Sequence, residues 1–262
     1  MNFIIVVPVR FFSKRLPGKA LASIHGKPMI IRVLENALNS NANTVIVATD
    51  SMRIAKVIKS QKFSNLSVYI TKLNHQSGTE RIAEIVVHYK IPDDQIIVHL
   101  QGDEPLISTD MIHELVNAAS LINITDNMMV TLATPISSYK EACNSDIVKV
   151  VIDSKNYALY FSRSMIPWIN ICNVSKDRDN NMKKLSDFLL CHMGVYLYKA
   201  KFLHNYVNWD VSPLERLEKL EQLRVLWNQG LIYVSIVNTE FNVSVNTLES
   251  LEQVNILFKN NI

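Results

Sequence analysis

Three stretches of the chain carry side chains whose types and spacing could do chemistry. The apolar run Phe3–Val9 gives way to Arg10-Phe11-Phe12-Ser13-Lys14-Arg15-Leu16-Pro17-Gly18-Lys19. An irregular loop that offers backbone N–H groups together with Arg and Lys forms an anion nest, and it can hold the about four negative charges of a triphosphate without glycine repeats. Arg10, Arg15 and Lys19 are the expected phosphate ligands, with Ser13 in the same loop; Lys14 ranks below Arg15 because adjacent side chains diverge. The second stretch, Gln101-Gly102-Asp103-Glu104-Pro105, follows another apolar run. Gly102 would let the backbone pass close to a ligand, and a carboxylate there is placed to hold Mg²⁺ bridging to phosphate, which makes Asp103 the expected metal residue. Taken alone, the same residues are equally an acidic turn before a helix capped near Ser108 or Thr109. The third stretch, His75-Gln76-Ser77-Gly78-Thr79-Glu80-Arg81, is a polar turn whose small groups and exposed amides suit a base edge, and Ser77 or Thr79 would serve as well as a plain N-cap.

The composition narrows what these stretches can be. Of 27 Lys+Arg and 24 Asp+Glu, six basic residues precede the first acidic one, Glu35, so the first 34 residues carry +6 and the rest −3. Charge so concentrated marks a local anion site rather than a nucleic-acid face, which would spread Lys and Arg along a surface. Roughly 18 glycines are expected at average usage, and only 6 are present, with neither G-x-G-x-x-G nor P-loop spacing among them. Three widely spaced cysteines, Cys143, Cys172 and Cys191, indicate neither a disulfide framework nor a zinc site. The apolar start is broken by Pro8 and has no basic n-region, and no apolar run approaches the roughly 18 residues of a membrane span. A cytoplasmic chain that binds neither membrane nor nucleic acid is expected.

The elements that must position these loops follow from periodicity. Short β-rich runs at 3–9, 44–48, 67–70, 96–100 and 129–133 alternate with helical patterns at 29–38, 52–59, 80–90 and 111–121. Such order predicts a Rossmann-like α/β fold, a mostly parallel sheet with helices on both faces and ligands beyond the carboxyl ends of its strands. From about Val148 the pattern changes to strands at 148–152, 157–161 and 193–198, a polar 170–187 stretch expected to be a mobile surface loop, one helix carrying Leu214, Leu217, Leu220 and Leu223, a strand at 232–237 and a helix near 248–258. Gly230 reads as that leucine helix's C-cap. Residues 1–147 are the expected nucleotide part, 148–230 a smaller β-containing part, and 231–262 a return to the main sheet.

The three stretches, with Gly26-Lys27-Pro28-Met29-Ile30 and Val47-Ala48-Thr49-Asp50, closely resemble the 3-deoxy-manno-octulosonate cytidylyltransferase family. The likeness continues through Tyr157 to Arg163, Ile166-Pro167-Trp168, His192-Met193-Gly194, Tyr206 to Trp209, Ser212 to Glu215 and Leu220 to Trp227. The resemblance implies a reaction of CTP with the eight-carbon acid sugar Kdo to give CMP-Kdo and pyrophosphate, for lipopolysaccharide, with Mg²⁺ and in a homodimer. It implies that Arg10, Arg15 and Lys19 hold the triphosphate, that Ser77, Gly78 and Arg81 meet the cytosine side, and that Asp103 holds metal. Gln101, Arg163, His192, Glu221 and Gln222 would be the sugar residues; without the likeness, His192 would pass for a core histidine and Glu221 and Gln222 for an exposed helix face. The family has aspartate in a Val-Asp-Thr-Pro context where this chain has Val245-Asn246-Thr247-Leu248, so the resemblance implies a weaker metal site at Asn246. A sialic-acid-like acceptor, or nucleotide binding with impaired catalysis, are the alternative readings.

Overall fold

The computed structural model describes residues 1–169, 188–239 and 244–260; the expected loop at 170–187 lies outside the described residues. Strand β1 (Phe3–Val9) shows why the sheet is central. Its successive side chains point to opposite faces, and both faces are apolar: Phe3, Ile5, Val7 and Val9 enter one core cluster, Ile4 and Val6 another. A strand apolar on both sides can only be buried on both sides. Helices α1 (Met29–Asn39), α2 (Met52–Ser60) and α4 (Thr109–Leu121) feed the first cluster, and α3 (Gly78–His88) the second. Between β1 and α1 lies a two-residue hairpin, β2 (Ser23–Ile24) with β3 (Lys27–Pro28).

The remaining strands are β4 (Val45–Thr49), β5 (Leu66–Ile70), β6 (Ile96–Leu100), β7 (Met128–Pro135), β8 (Lys149–Ile152), β9 (Ala158–Ser162), β10 (Leu190–Lys199) and β11 (Leu231–Ile236). Among the described residues they form a nine-stranded sheet in the order β11-β7-β10-β6-β1-β4-β5, with β8 and β9 paired beside β10. The contacts β1–β4, β1–β6, β4–β5 and β7–β11 are parallel, whereas β10 runs antiparallel between β6 and β7. After β1 the chain first adds β4 and β5 on one side, then returns to place β6 on the other. The β1 and β6 carboxyl ends therefore flank the point where the strand order reverses, where open α/β sheets bind ligands, and from them leave the Arg10–Lys19 and Gln101–Pro105 segments.

The other helices are α5 (Tyr139–Cys143), α6 (Ala200–Tyr206), α7 (Pro213–Glu218), α8 (Gln222–Trp227) and α9 (Leu248–Asn260). The single leucine-rich helix expected across 214–227 is two, because Lys219 adopts left-handed φ 57° and ψ 44° and ends α7. The break separates the leucines: Leu217 is exposed, while Leu220 and Leu223 are buried. Gly230 is also not the left-handed cap residue. Gln229 has φ 60° and takes that place, and Gly230 donates back to the Val225 carbonyl at 2.9 Å, a six-to-one closure of the helix end. Gly230 is glycine because a Cβ there would lie 2.7 Å from Val225 Cγ1.

Candidate active site

Two adjoining cavities open at the β1 and β6 carboxyl ends. The smaller, about 180 Å³, is lined by Arg10, Ser13, Lys19, Ser77, Gly78 and Arg81; the larger, about 470 Å³, by Arg15, Arg163, His192, Gln222 and Asn246. Arg10, Gln101, Asp103 and Glu221 line both and form the boundary. Each residue expected to bind phosphate, base, sugar or metal thus borders one cavity or both, whereas Lys14 borders neither, and Arg15 falls on the larger one, paired with Asp146 at 3.0 Å on the surface.

The boundary is built from three loops. A 3-10 turn, Lys19–Leu21, begins after Gly18 and carries Lys19 across the gap. Its ammonium pairs with the Asp103 carboxylate and donates to Asn246 Oδ1 at 3.2 Å. The Val245 N–H donates to the Asp103 carbonyl at 3.2 Å, and the Ser244 hydroxyl to Glu104. Burial and the neighbouring Asp103 push the Glu104 carboxyl up to about 8. Gly102 borders the smaller cavity, and a Cβ there would lie 3.0 Å from Val9 Cβ, so it also permits the close approach of the ends of β6 and β1. Among the described residues no group of three or more His, Cys, Asp or Glu could hold a metal ion. One carboxylate, Asp103, and one amide oxygen, Asn246, do converge on the same ammonium. That donor set fits Mg²⁺, which takes one or two carboxylates and fills its octahedron with water and phosphate.

On the small-cavity side, Ser77 caps α3, its Oγ accepting from Glu80 N at 3.1 Å. The amides of this turn are not free: Glu221 accepts from Gly78 N at 3.3 Å, from Thr79 N at 3.4 Å and from Thr79 Oγ1 at 2.8 Å. A carboxylate at a helix N-terminus is favourably placed; burial nonetheless raises its pKa, with these donors opposing. Arg81 is buried and donates to Asp50 Oδ2 at 3.0 Å, to Thr71 Oγ1 and to the Lys72 carbonyl. Asp50 Oδ1 accepts from Phe11 N at 3.1 Å. Asp50 therefore ties the basic loop to α3, a role the sequence motif did not reveal.

In the larger cavity His192 is buried on β10, and burial holds its pKa down to about 3. Thr131 Oγ1 lies 2.7 Å from the Val195 carbonyl and 3.0 Å from His192 Nε2. With the one hydroxyl proton given to the carbonyl, His192 is neutral with its proton on Nε2, leaving Nδ1 an acceptor. Gln222 is buried; its Oε1 accepts from the Tyr196 hydroxyl at 3.3 Å, while its Nε2 has no hydrogen-bond partner among the described residues. Tyr196, which sequence reasoning missed, lines the cavity between the His99 and His192 rings. Strand alternation was the available signal, since 192, 194 and 196 fall on one face and His192, Gly194 and Tyr196 all line the cavity. Arg163, at the end of β9, donates through Nε to the Glu218 carbonyl at 2.9 Å and through Nη1 to the Ser145 carbonyl at 3.1 Å.

A family model described as cytidylyltransferase matches residues 4–240. The chain is 55% identical over 261 residues to the 3-deoxy-manno-octulosonate cytidylyltransferase of Blochmanniella pennsylvanica, covering 100% of this chain and 97% of that protein. It is 45% identical to the Sodalis glossinidius protein of the same name, covering 98% of each. A solved CMP:2-keto-3-deoxy-manno-octonic acid synthetase complexed with CTP superposes over 100% of both chains with a TM-score of 0.84 at 33% identity. By sequence over its full length and by fold, the chain belongs to the 3-deoxy-manno-octulosonate cytidylyltransferase family.

Proposed function

We propose that the chain joins CMP from CTP to the anomeric hydroxyl of Kdo, releasing pyrophosphate and supplying CMP-Kdo for lipopolysaccharide. The observation that carries this reading is the pair of adjoining cavities with a common boundary of Arg10, Gln101, Asp103 and Glu221. One cavity takes the nucleotide and the other the acid sugar, so the two reacting atoms meet at that boundary. There the sugar oxygen forms its bond to the α-phosphorus as the bond to the pyrophosphate oxygen breaks, and the hydroxyl proton leaves to solvent. Such a displacement needs positioning and charge neutralisation rather than a covalent nucleophile. Arg10 and Lys19 hold phosphate oxygens, with Ser13 beside them and Arg15 reaching the phosphates from the larger cavity, and the Ser77–Gly78 turn with Arg81 forms the base end. Arg163 takes the sugar carboxylate, for which its planar fork is suited. Gln101, His192 Nδ1, Glu221 and the unpartnered Gln222 Nε2 meet hydroxyls. Asp103, helped by Asn246, would hold Mg²⁺, which when bound supplies positive charge to the phosphates.

Two further features belong to this reading. The exposed apolar side chains Leu159, Trp168, Phe188 and Leu217 support a homodimer contact outside the cavities. No helix among the described residues is long and apolar enough to cross a membrane, in keeping with work in the cytoplasm, where CTP is available. Pyrophosphate release from CTP across a panel of acid sugars with a Mg²⁺ titration tests the proposal. Turnover is expected with Kdo, and better turnover with a nine-carbon acid, or CTP binding without Mg²⁺-dependent release, would overturn it.

A further inference from the structure

Lys149, on β8, has no exposed surface. Its ammonium donates to three backbone carbonyls: Asn144 at 2.9 Å, Ile147 at 2.6 Å and Arg163 at 2.6 Å. Three acceptors on one Nζ use all three ammonium protons, so the side chain is charged where it lies, even though burial pulls its pKa below the ordinary lysine value. None of the ion pairs among the described residues includes it. A buried charge with only neutral partners is unfavourable unless something offsets it. Those three carbonyls are not scattered. Two belong to the 144–147 segment that lines the larger cavity, and the third is the backbone of Arg163.

Arg163 repeats the pattern. Its guanidinium rests on the carbonyls of Ser145 and Glu218, while the Glu218 carboxylate is turned away to Ser162 Oγ at 2.6 Å and Arg163 N at 3.0 Å. One side of the larger cavity therefore holds two cations whose side-chain partners are carbonyl dipoles, which orient a cation without cancelling its charge.

We propose that Lys149 is a positioning residue for the acceptor: through three carbonyls it locks the 144–147 segment and Arg163 into one cationic wall that receives the carboxylate of the acid sugar. The inference rests on the assignment of the larger cavity to that sugar. Lys149 touches neither substrate. It acts by fixing Arg163 and by adding a second positive charge behind it, and it has no such connection to the nucleotide side.

The test is a steady-state comparison of Lys149→Met with the natural chain, with the Michaelis constants for Kdo and CTP measured separately. Lys149→Met should raise KM for Kdo about ten- to a hundredfold, the scale of losing charge-assisted hydrogen bonds, with KM for CTP within about twofold. The carboxamide of Kdo, which lacks the charge, should lose far less than Kdo does. Glu218→Gln, on a half-buried side chain, weakens the same anchoring of Arg163 without removing a buried cation, and should raise KM for Kdo about threefold with CTP unaffected. It reads the inference even if Lys149→Met does not fold. Equal rises for both substrates, an equal loss with acid and carboxamide, or an unchanged KM for Kdo in folded Lys149→Met or in Glu218→Gln would overturn it. Failure of the parent reading looks different: the natural chain itself would not use Kdo, and the variants would then be compared on the acid sugar it does use.

Discussion

The two walls of the active-site cleft handle their buried and half-buried charges in opposite ways. On the nucleotide side, cations and carboxylates are paired: Lys19 with Asp103, and Arg81 with Asp50. On the acceptor side one exposed pair, Arg15 with Asp146, borders the opening, whereas Lys149 and Arg163 farther in rest on backbone carbonyls. The difference matches the difference in ligand. A triphosphate arriving with a divalent cation brings both signs, so a paired lysine and aspartate can exchange each other for phosphate and metal with little change in net charge. A sugar acid brings a single negative charge, and a wall already neutralised by carboxylates would have little to offer it. Glu221 joins the walls, because its carboxylate caps α3 on one side while the residue borders the larger cavity on the other.

The largest effect is expected behind the acceptor wall. Glu215 and Arg224 form a buried bidentate pair at 2.7 and 2.8 Å; Arg224 also lies over the Tyr206 ring, whose hydroxyl donates to the Glu221 carbonyl. Glu215→Ala leaves a buried guanidinium unpaired and should lower stability by about 3–5 kcal/mol, read by chemical denaturation. A loss no larger than a surface substitution gives would remove this pair from the support of Glu221 and Gln222. On the paired wall, the counterpart is Asp103→Asn. It should lower kcat by about a hundred- to a thousandfold, the scale of losing one electrostatic stabiliser, while melting changes little because Asp103 is partly exposed. A fall confined to KM for the acceptor would break the division between the walls.

A third comparison uses one histidine from behind each wall. His99 lies beneath Gly78, His192 faces the acceptor cavity, and burial holds each down to about 3. The unfolded chain takes up these protons below pH about 6.5 and the folded chain does not, so the stability present above that pH is lost as pH falls toward 3. The expected slope is about 1.4 kcal/mol per pH unit for each histidine. Because Glu104, held up to about 8, gains stability over the same window, the histidine share is read from the difference between the natural chain and His99→Phe in denaturation at pH 7 and pH 5: the variant should lose less on acidification. A pH 7 to pH 5 change that is the same in His99→Phe as in the natural chain would contradict the neutral assignment of His99.

How far the two walls can be read in sequence differs for a physical reason. The nucleotide wall is made of loops that directly follow apolar strands, so local order brought Arg10, Lys19 and Asp103 forward, and the strands at 3–9 and 96–100 were found at their observed bounds. The acceptor wall depends on β10 inserting antiparallel between β6 and β7, and on Lys149 and Arg163 meeting through β8 and β9. Neither pairing has a local signature. The left-handed Lys219 carries none of the usual glycine signal, so the break between α7 and α8 was read as one helix, and the leucine pattern concealed that Gln222 is buried. Asp50 showed the same limit: its two partners, Phe11 and Arg81, lie 39 and 31 residues away.

The smallest expected effect is the sharpest test of the paired wall. Asn246 accepts from the same ammonium that pairs with Asp103, so Asn246→Asp would place two carboxylates on one lysine. Without a divalent cation the added charge gains from Lys19 and loses against Asp103, and stability should move by less than about 0.5 kcal/mol, as for an ordinary exposed substitution. With Mg²⁺ the balance changes, because a hard cation prefers a charged oxygen to an amide carbonyl. The concentration giving half-maximal rate should fall about threefold to tenfold, and Mg²⁺ alone should raise the melting temperature more in the variant than in the natural chain, since binding to the folded form stabilises it by mass action. An unchanged Mg²⁺ dependence in both readouts would mean that Asn246 serves only to orient Lys19. The paired wall would then hold its metal through Asp103 and phosphate oxygens alone.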